Sequence, residues 1–204
     1  MLTVRTHAPN GLVSIGTKSV AVAVAVQHDG VMPIIPDTKN WTWVLEKPCA
    51  ECGFDASVLS ERDVAALIRS NAGLWPAVLT RPDATARPDD STWSALEYAA
   101  HVRDVFRIFE VRLHLMLDQD NPLFANWDQD EIAVAERYNE QDPAVVSAEL
   151  GAAAAVLADT LDSVPDDSWT RRGRRGDGAE FTIASLARYL AHDPVHHLWD
   201  VRAG

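Results

Sequence analysis

One amphipathic stretch, Ser94 to Asp118, constrains the fold more than any other part of the chain. Ser94-Ala95-Leu96-Glu97 is a capping box, in which serine and glutamate side chains satisfy each other's backbone N–H groups, and Trp93 precedes it as a staple residue. Leu96, Ala99, Phe106, Leu113, Met116 and Leu117 then form one apolar stripe at helical spacing. A neighbouring stripe of Tyr98, His101, Val105 and Ile108 puts His101 on or beside the buried face, away from Arg103, Asp104 and Arg107. A helix of this length crosses a whole small bundle.

Three other stretches read as its partners. Ser60-Glu61-Arg62-Asp63 resembles a capping box, and Val64, Leu67, Ile68, Trp75 and Val78 follow at helical spacing, with a kink expected at Pro76. Asp142-Pro143 supplies an N-cap and a proline at the first helical position, ahead of Val146, Leu150, Ala153, Leu157 and Leu161, and Pro165-Asp166 end that helix. Thr182 caps the last helix, whose core face is Ile183, Leu186, Tyr189 and Leu190. The connection from Gln119 to Asp142 is long for a bundle loop. Its Phe124, Trp127, Ile132 and Tyr138 predict that it packs on the protein, with a short helix around Asp128 to Arg137. Long packed connections often cover a site. The pattern is all-α: four helices in a bundle, a long connection between helices 2 and 3, and an irregular N-terminal arm.

Composition agrees with this and excludes other classes. At 204 residues, with 47% of them apolar, the chain suits one well-buried domain plus some extra sequence. A net charge of −12 repels nucleic-acid phosphates and anionic membranes alike. The apolar run Val20 to Val26 is far short of the roughly 20 residues that span a bilayer. Arg5 and Lys18 ahead of it give only a weak signal-peptide pattern, and a start of translation at Met32 is the simpler reading. Residues 1–31 are then a mis-assigned or dispensable extension, disordered or weakly extended; residues 32–59 are the irregular arm and 60–204 the helical domain. Two cysteines close together make no disulfide framework, so a reducing cytoplasm is the expected setting.

Chemistry concentrates at three places. Three of the seven histidines lie in Ala191-His192-Asp193-Pro194-Val195-His196-His197-Leu198-Trp199-Asp200. His192 and His196 stand four apart, on one helical face, where two imidazoles can grip a zinc, nickel or iron ion if a third ligand comes from elsewhere. His197 is turned about 100° away from His196 and stays outside that pair. Pro194 predicts a local bend. His114 reads as a hydrogen-bonded core residue. Cys49-Ala50-Glu51-Cys52-Gly53 is either half of a zinc site, a redox pair, or two small residues packed in the arm; with no second C-x-x-C, a closed four-ligand site needs histidines or a second subunit. Arg171 to Gly178 is a basic cluster, read as a solvated glycine-rich turn or an anion-binding loop.

Together, a helix-2 histidine preceded by Trp93-Ser94 and Glu97 and followed by Asp104, and the H-x-x-x-H of helix 4, resemble the DinB-like superfamily over about Ser60 to Val201. That fold also includes mycothiol- and bacillithiol-dependent S-transferases and the mycothiol-dependent maleylpyruvate isomerases. The resemblance implies a DinB-like four-helix bundle in which His101, His192 and His196 bind one divalent metal ion, zinc before nickel or iron. The arm with Cys49 and Cys52 is similar to one in actinobacterial members. Three protein ligands leave an open position, the mark of a catalytic rather than a structural site. Glu97, Asp104, Asp193 and Asp200 lie near enough to orient the ligating histidines. The resemblance implies a metal-dependent transferase joining a low-molecular-weight thiol to a small electrophile, or a related isomerase or hydrolase. A metal-binding stress protein without turnover and an inert helical interaction module are the alternatives. Bundles of this kind often pair as homodimers through a helix face.

Overall fold

A computed structural model of the chain describes residues 40–125 and 127–203. The readings made for residues 1–31, and for 32–39 of the arm, lie outside the described residues.

The arm begins with a 3-10 turn, Trp41–Leu45, capped by the Asn40 side chain, and continues irregularly to Ser60. Ser60 caps a short 3-10 turn, accepting from the Arg62 N–H at 3.3 Å, and does not form the reciprocal box. The first helical region is divided into α1 (Val64–Ala72) and α2 (Trp75–Leu79). The break falls at Gly73-Leu74, and Pro76 lies in the first turn of α2, where its missing N–H costs no hydrogen bond. The expected kink at Pro76 is therefore a new helix start. α3 (Ala95–Asp118) carries the capping box at Ser94 and Glu97. It is followed by β1 (Leu123–Phe124), α4 (Gln129–Ala135), α5 (Pro143–Asp162), β2 (Arg172–Arg175), β3 (Glu180–Thr182) and α6 (Ile183–Ala203). Asp142 caps α5 through the Ala144 and Val145 N–H groups. Thr182 caps α6, accepting from the Ser185 N–H at 3.1 Å.

α1, α5, α3 and α6 pack in a ring, each against the next, which makes a four-helix bundle. Its centre holds Ile68, Trp75, Leu96, Phe106, Met116, Leu150, Leu157, Ile183 and Leu190. α5 is long and apolar enough to pass for a membrane span by composition, but its inner face packs on α1 and α3. α6 runs as one helix through Pro194, and the Asn71 side chain donates to the Pro194 carbonyl at 2.8 Å.

Two regions differ from the sequence reading. The basic cluster forms a small sheet: β2 pairs antiparallel with β3 and parallel with β1. Gly173 is required there, since a Cβ would come within 2.4 Å of the Phe124 ring. Arg171 donates to the Met116 and Gln119 carbonyls, closing the C-terminal end of α3, where a cation is favoured. Arg103 and Asp104, expected on the outer face, are buried and half-buried respectively: they pair with each other at 2.9 Å, and Tyr138, from the connection that covers them, donates to Asp104 at 2.6 Å.

Candidate metal centre

A helix turns about 100° per residue, so on α6 His192 and His196 share one ridge and Asp193 and His197 the ridge beside it. The bundle sends these ridges to different neighbours.

The Asp193–His197 ridge meets α3. His101, fully buried, places Nε2 3.5 Å from Asp193 Oδ2, and its ring centroid is 4.9 Å from that of His197. His197 Nε2 is 3.8 Å from Asp193 Oδ1. His101, Asp193 and His197 each offer one donor atom, all within 4.8 Å of one another. These spacings approach the edge of about 3.4 Å expected between tetrahedral N and O ligands at zinc distances. Trp127, from the connection between β1 and α4, stacks on His101 at 5.5 Å, and Trp93 lies at 5.4 Å on another side. The long connection thus covers the donors, as its aromatic residues predicted.

The His192–His196 ridge meets the arm. Cys49 Sγ is 3.7 Å from His196 Nδ1, and Cys49, Cys52, His192 and His196 form a second group of four donors within 4.8 Å. Trp41 and Phe54 lie over His192, with ring centroids at 5.3 and 5.6 Å. The expected trio is divided: His192 and His196 stay together, while His101 falls in the group one residue further along α6. His197, set aside because it points away from His196, points that way toward His101. Asp193, expected only to orient a ligand, is itself a donor.

Asp200 joins the two groups. Its Oδ2 is 2.9 Å from His197 Nδ1 and its Oδ1 3.8 Å from His196 Nε2. Glu51 of the arm also faces His196 Nε2, at 3.3 Å. Of the other carboxylates expected near the ligands, Glu97 is held by Arg87 and the Ser94 cap, and Asp104 by Arg103 and Tyr138. His114 is exposed and pairs with Glu110 at 2.8 Å.

The electrostatics favour a cation. Burial pushes His192 down to about 4, helped by its neighbour His196 and opposed by Asp193. Burial also lowers His196, against the pull of Asp200. Burial alone would raise Asp193, but the His101 and His197 imidazoles outweigh it and hold the carboxyl at about 2. A neutral His192 imidazole and an ionised Asp193 carboxylate are in the protonation states that metal ligands require. Burial raises the Cys52 thiol to about 11, which keeps this sulfur protonated unless a cation lies beside it. Among the described residues, six buried side-chain polar atoms lack a hydrogen-bond partner, and three of them are His101 Nδ1, His192 Nε2 and Asp193 Oδ1. Such orphans are costly, and His192 Nε2 and Asp193 Oδ1 are placed as ligands for an ion, while His101 faces Asp193 with its other nitrogen, Nε2. A cleft of about 90 Å³, lined by His192, Asp193, His196 and His197 with Trp41 and Tyr189, has room for a few small molecules the size of water.

The model of the DinB superfamily matches residues 67–201. No curated protein matches the chain. Among solved structures it is similar to YfiT from Bacillus subtilis, described as a probable metal-dependent hydrolase with an unusual four-helix bundle topology. The two are 17% identical, with a TM-score of 0.60 over 70% of this chain and 84% of that one, a likeness of fold.

Proposed function

The chain belongs to the DinB superfamily, and from that premise we propose that it is a divalent-metal-dependent enzyme whose reaction centre is His101, Asp193 and His197. The observation that carries this is the donor group itself: three ligands from two packed helices, beside a cleft and short of a closed set. A divalent cation held by these residues would supply Lewis acidity and lower the pKa of a bound water or thiol.

The chain's own residues do the rest. His101, packed against Trp93 and Trp127, presents Nε2 to Asp193. Asp200 accepts from His197 Nδ1, which fixes the tautomer and leaves Nε2 as the donor. Asp193 brings negative charge to the centre and offsets that of the cation. Trp127 stacks on the His101 ring, and the arm's Trp41 lines the cleft beside the α6 donors.

Two reactions fit this centre. Transfer of a low-molecular-weight thiol of the mycothiol type to a small electrophile follows from the family resemblance. Hydrolysis is favoured by the description of the structural neighbour. The test is turnover of metal-loaded protein on an electrophile with and without thiol, and on ester and amide substrates. Activity that disappears in both His101→Ala and His197→Ala supports the centre, and dependence on added thiol decides between the reactions. Activity that survives removal of the ion would sink the proposal. If His101, His192 and His196 are the ligands instead, His197→Ala keeps turnover and His192→Ala abolishes it.

A further inference from the structure

The two cysteines of the arm are not in that donor group, and their geometry points to a different one. We propose that Cys49, Cys52, His192 and His196 hold a second, structural zinc ion that ties the N-terminal arm to α6.

Local backbone prepares the cysteines. The Cys49 N–H donates to the Phe54 carbonyl at 2.8 Å, and the Gly53 N–H donates to the Cys49 carbonyl at 3.0 Å. Gly53 closes this turn at φ +75°, a conformation glycine adopts at little cost; a Cβ there would meet nothing within 4 Å, so backbone conformation rather than space requires glycine. The turn brings both sulfurs to the side where α6 presents His192 and His196 on successive turns.

The donor set then selects the ion. Two thiolates and two imidazoles, four ligands in all, make a closed tetrahedral site that suits zinc. Zinc–sulfur and zinc–nitrogen bonds of ordinary length give a tetrahedral S–N edge of about 3.6 Å, and Cys49 Sγ lies 3.7 Å from His196 Nδ1. His196 turns its other nitrogen, Nε2, to the Glu51 and Asp200 carboxylates, the usual outer partners of a ligating histidine. His192 is 5% exposed, and its Nε2 is buried with no hydrogen-bond partner among the described residues. A redox pair would expose its attacking thiol, whereas Cys49 is 3% exposed and faces a histidine.

The two sites share no ligand, so the ligands of either can be substituted without altering those of the other. The test uses the full chain, loaded with zinc and separately with cobalt(II), beside Cys49→Ser/Cys52→Ser and His101→Ala. The cobalt form is expected to show thiolate-to-cobalt charge-transfer absorption with tetrahedral ligand-field bands. That signal persists in His101→Ala and disappears in the double cysteine variant, which also loses one equivalent of zinc. His192→Cys keeps the ion, and His192→Ala releases it. Should the cysteine variant fail to fold, alkylation of the unaltered protein gives the same answer: both thiols are protected with zinc and react once it is chelated. Absence of the thiolate signal, unchanged zinc content in the folded cysteine variant, or thiols that alkylate equally with and without zinc would overturn the site. A failed reaction centre looks different: His101→Ala and His197→Ala would leave metal content unchanged while the thiolate signal stood.

Discussion

His192 and His196 face an arm of irregular backbone, whereas Asp193 and His197, each one residue further along α6, face α3. The difference lies in what holds the opposing donors. His101 sits in a helix of 24 residues with Phe106, Leu113 and Met116 anchoring the same element in the core. Cys49 and Cys52 sit in a turn fixed by two local backbone hydrogen bonds and by Phe54 against His192. A donor on a core helix is positioned by the whole bundle. One on an arm depends on its own ligation, because a short irregular segment buries too little to hold itself in place. The same helix can thus serve an open reaction centre on one ridge and a closed clamp on the next.

Substitutions that act on the bundle or on the arm alone test this division. The largest effect is expected for Phe106→Ala, fully buried on α3: a loss of about 3–5 kcal/mol in urea unfolding, with both donor groups losing metal together as the bundle loosens. Phe54→Ala removes an arm side chain and should cost about 2 kcal/mol, seen as faster amide exchange in residues 41–57 while α3 amides stay protected. Equal acceleration in α3 would break the division between arm and bundle.

Much of this layout is legible in the sequence, for local reasons. Capping boxes, apolar spacing and the Asp142-Pro143 start depend on residues within a few positions of one another, and α3, α5 and α6 begin where those signals stand. The burial of His101 follows from its stripe on α3. The partners of His101 do not follow from such signals. On α6 the step from one ridge to the next is a single residue, and which ridge faces α3 depends on the rotation of the whole helix, set by contacts far away in sequence such as Asn71 with the Pro194 carbonyl. The pairs His192/His196 and Asp193/His197 have the same spacing, and the presence of two cysteines was the available hint that one pair was spoken for. The strands were hidden for another reason: β2 is Arg-Gly-Arg-Arg, without the apolar alternation that marks a strand, and it is held by Gly173 passing under Phe124.

Smaller effects sharpen the contrast between the groups. Asp200→Asn is expected to weaken metal affinity 10- to 100-fold, about the cost of losing a ligand's outer carboxylate, and to do so at both groups in chelator competition. An effect confined to one would assign the carboxylate to that group alone. Glu51→Gln should matter least, below about 1 kcal/mol for a half-exposed partner, and only at the cysteine-containing group, read from the zinc-release rate in the presence of a chelator.

Asp200 has one further consequence. A single carboxylate that lies 2.9 Å from His197 with one oxygen and faces His196 at 3.8 Å with the other would link the occupancies of the two groups thermodynamically. Whatever free energy filling the clamp contributes to the affinity of the reaction centre, filling the reaction centre returns to the clamp. The protein would then respond to the level of available metal as a coupled pair of sites, and its titration curve would depart from the sum of two independent isotherms.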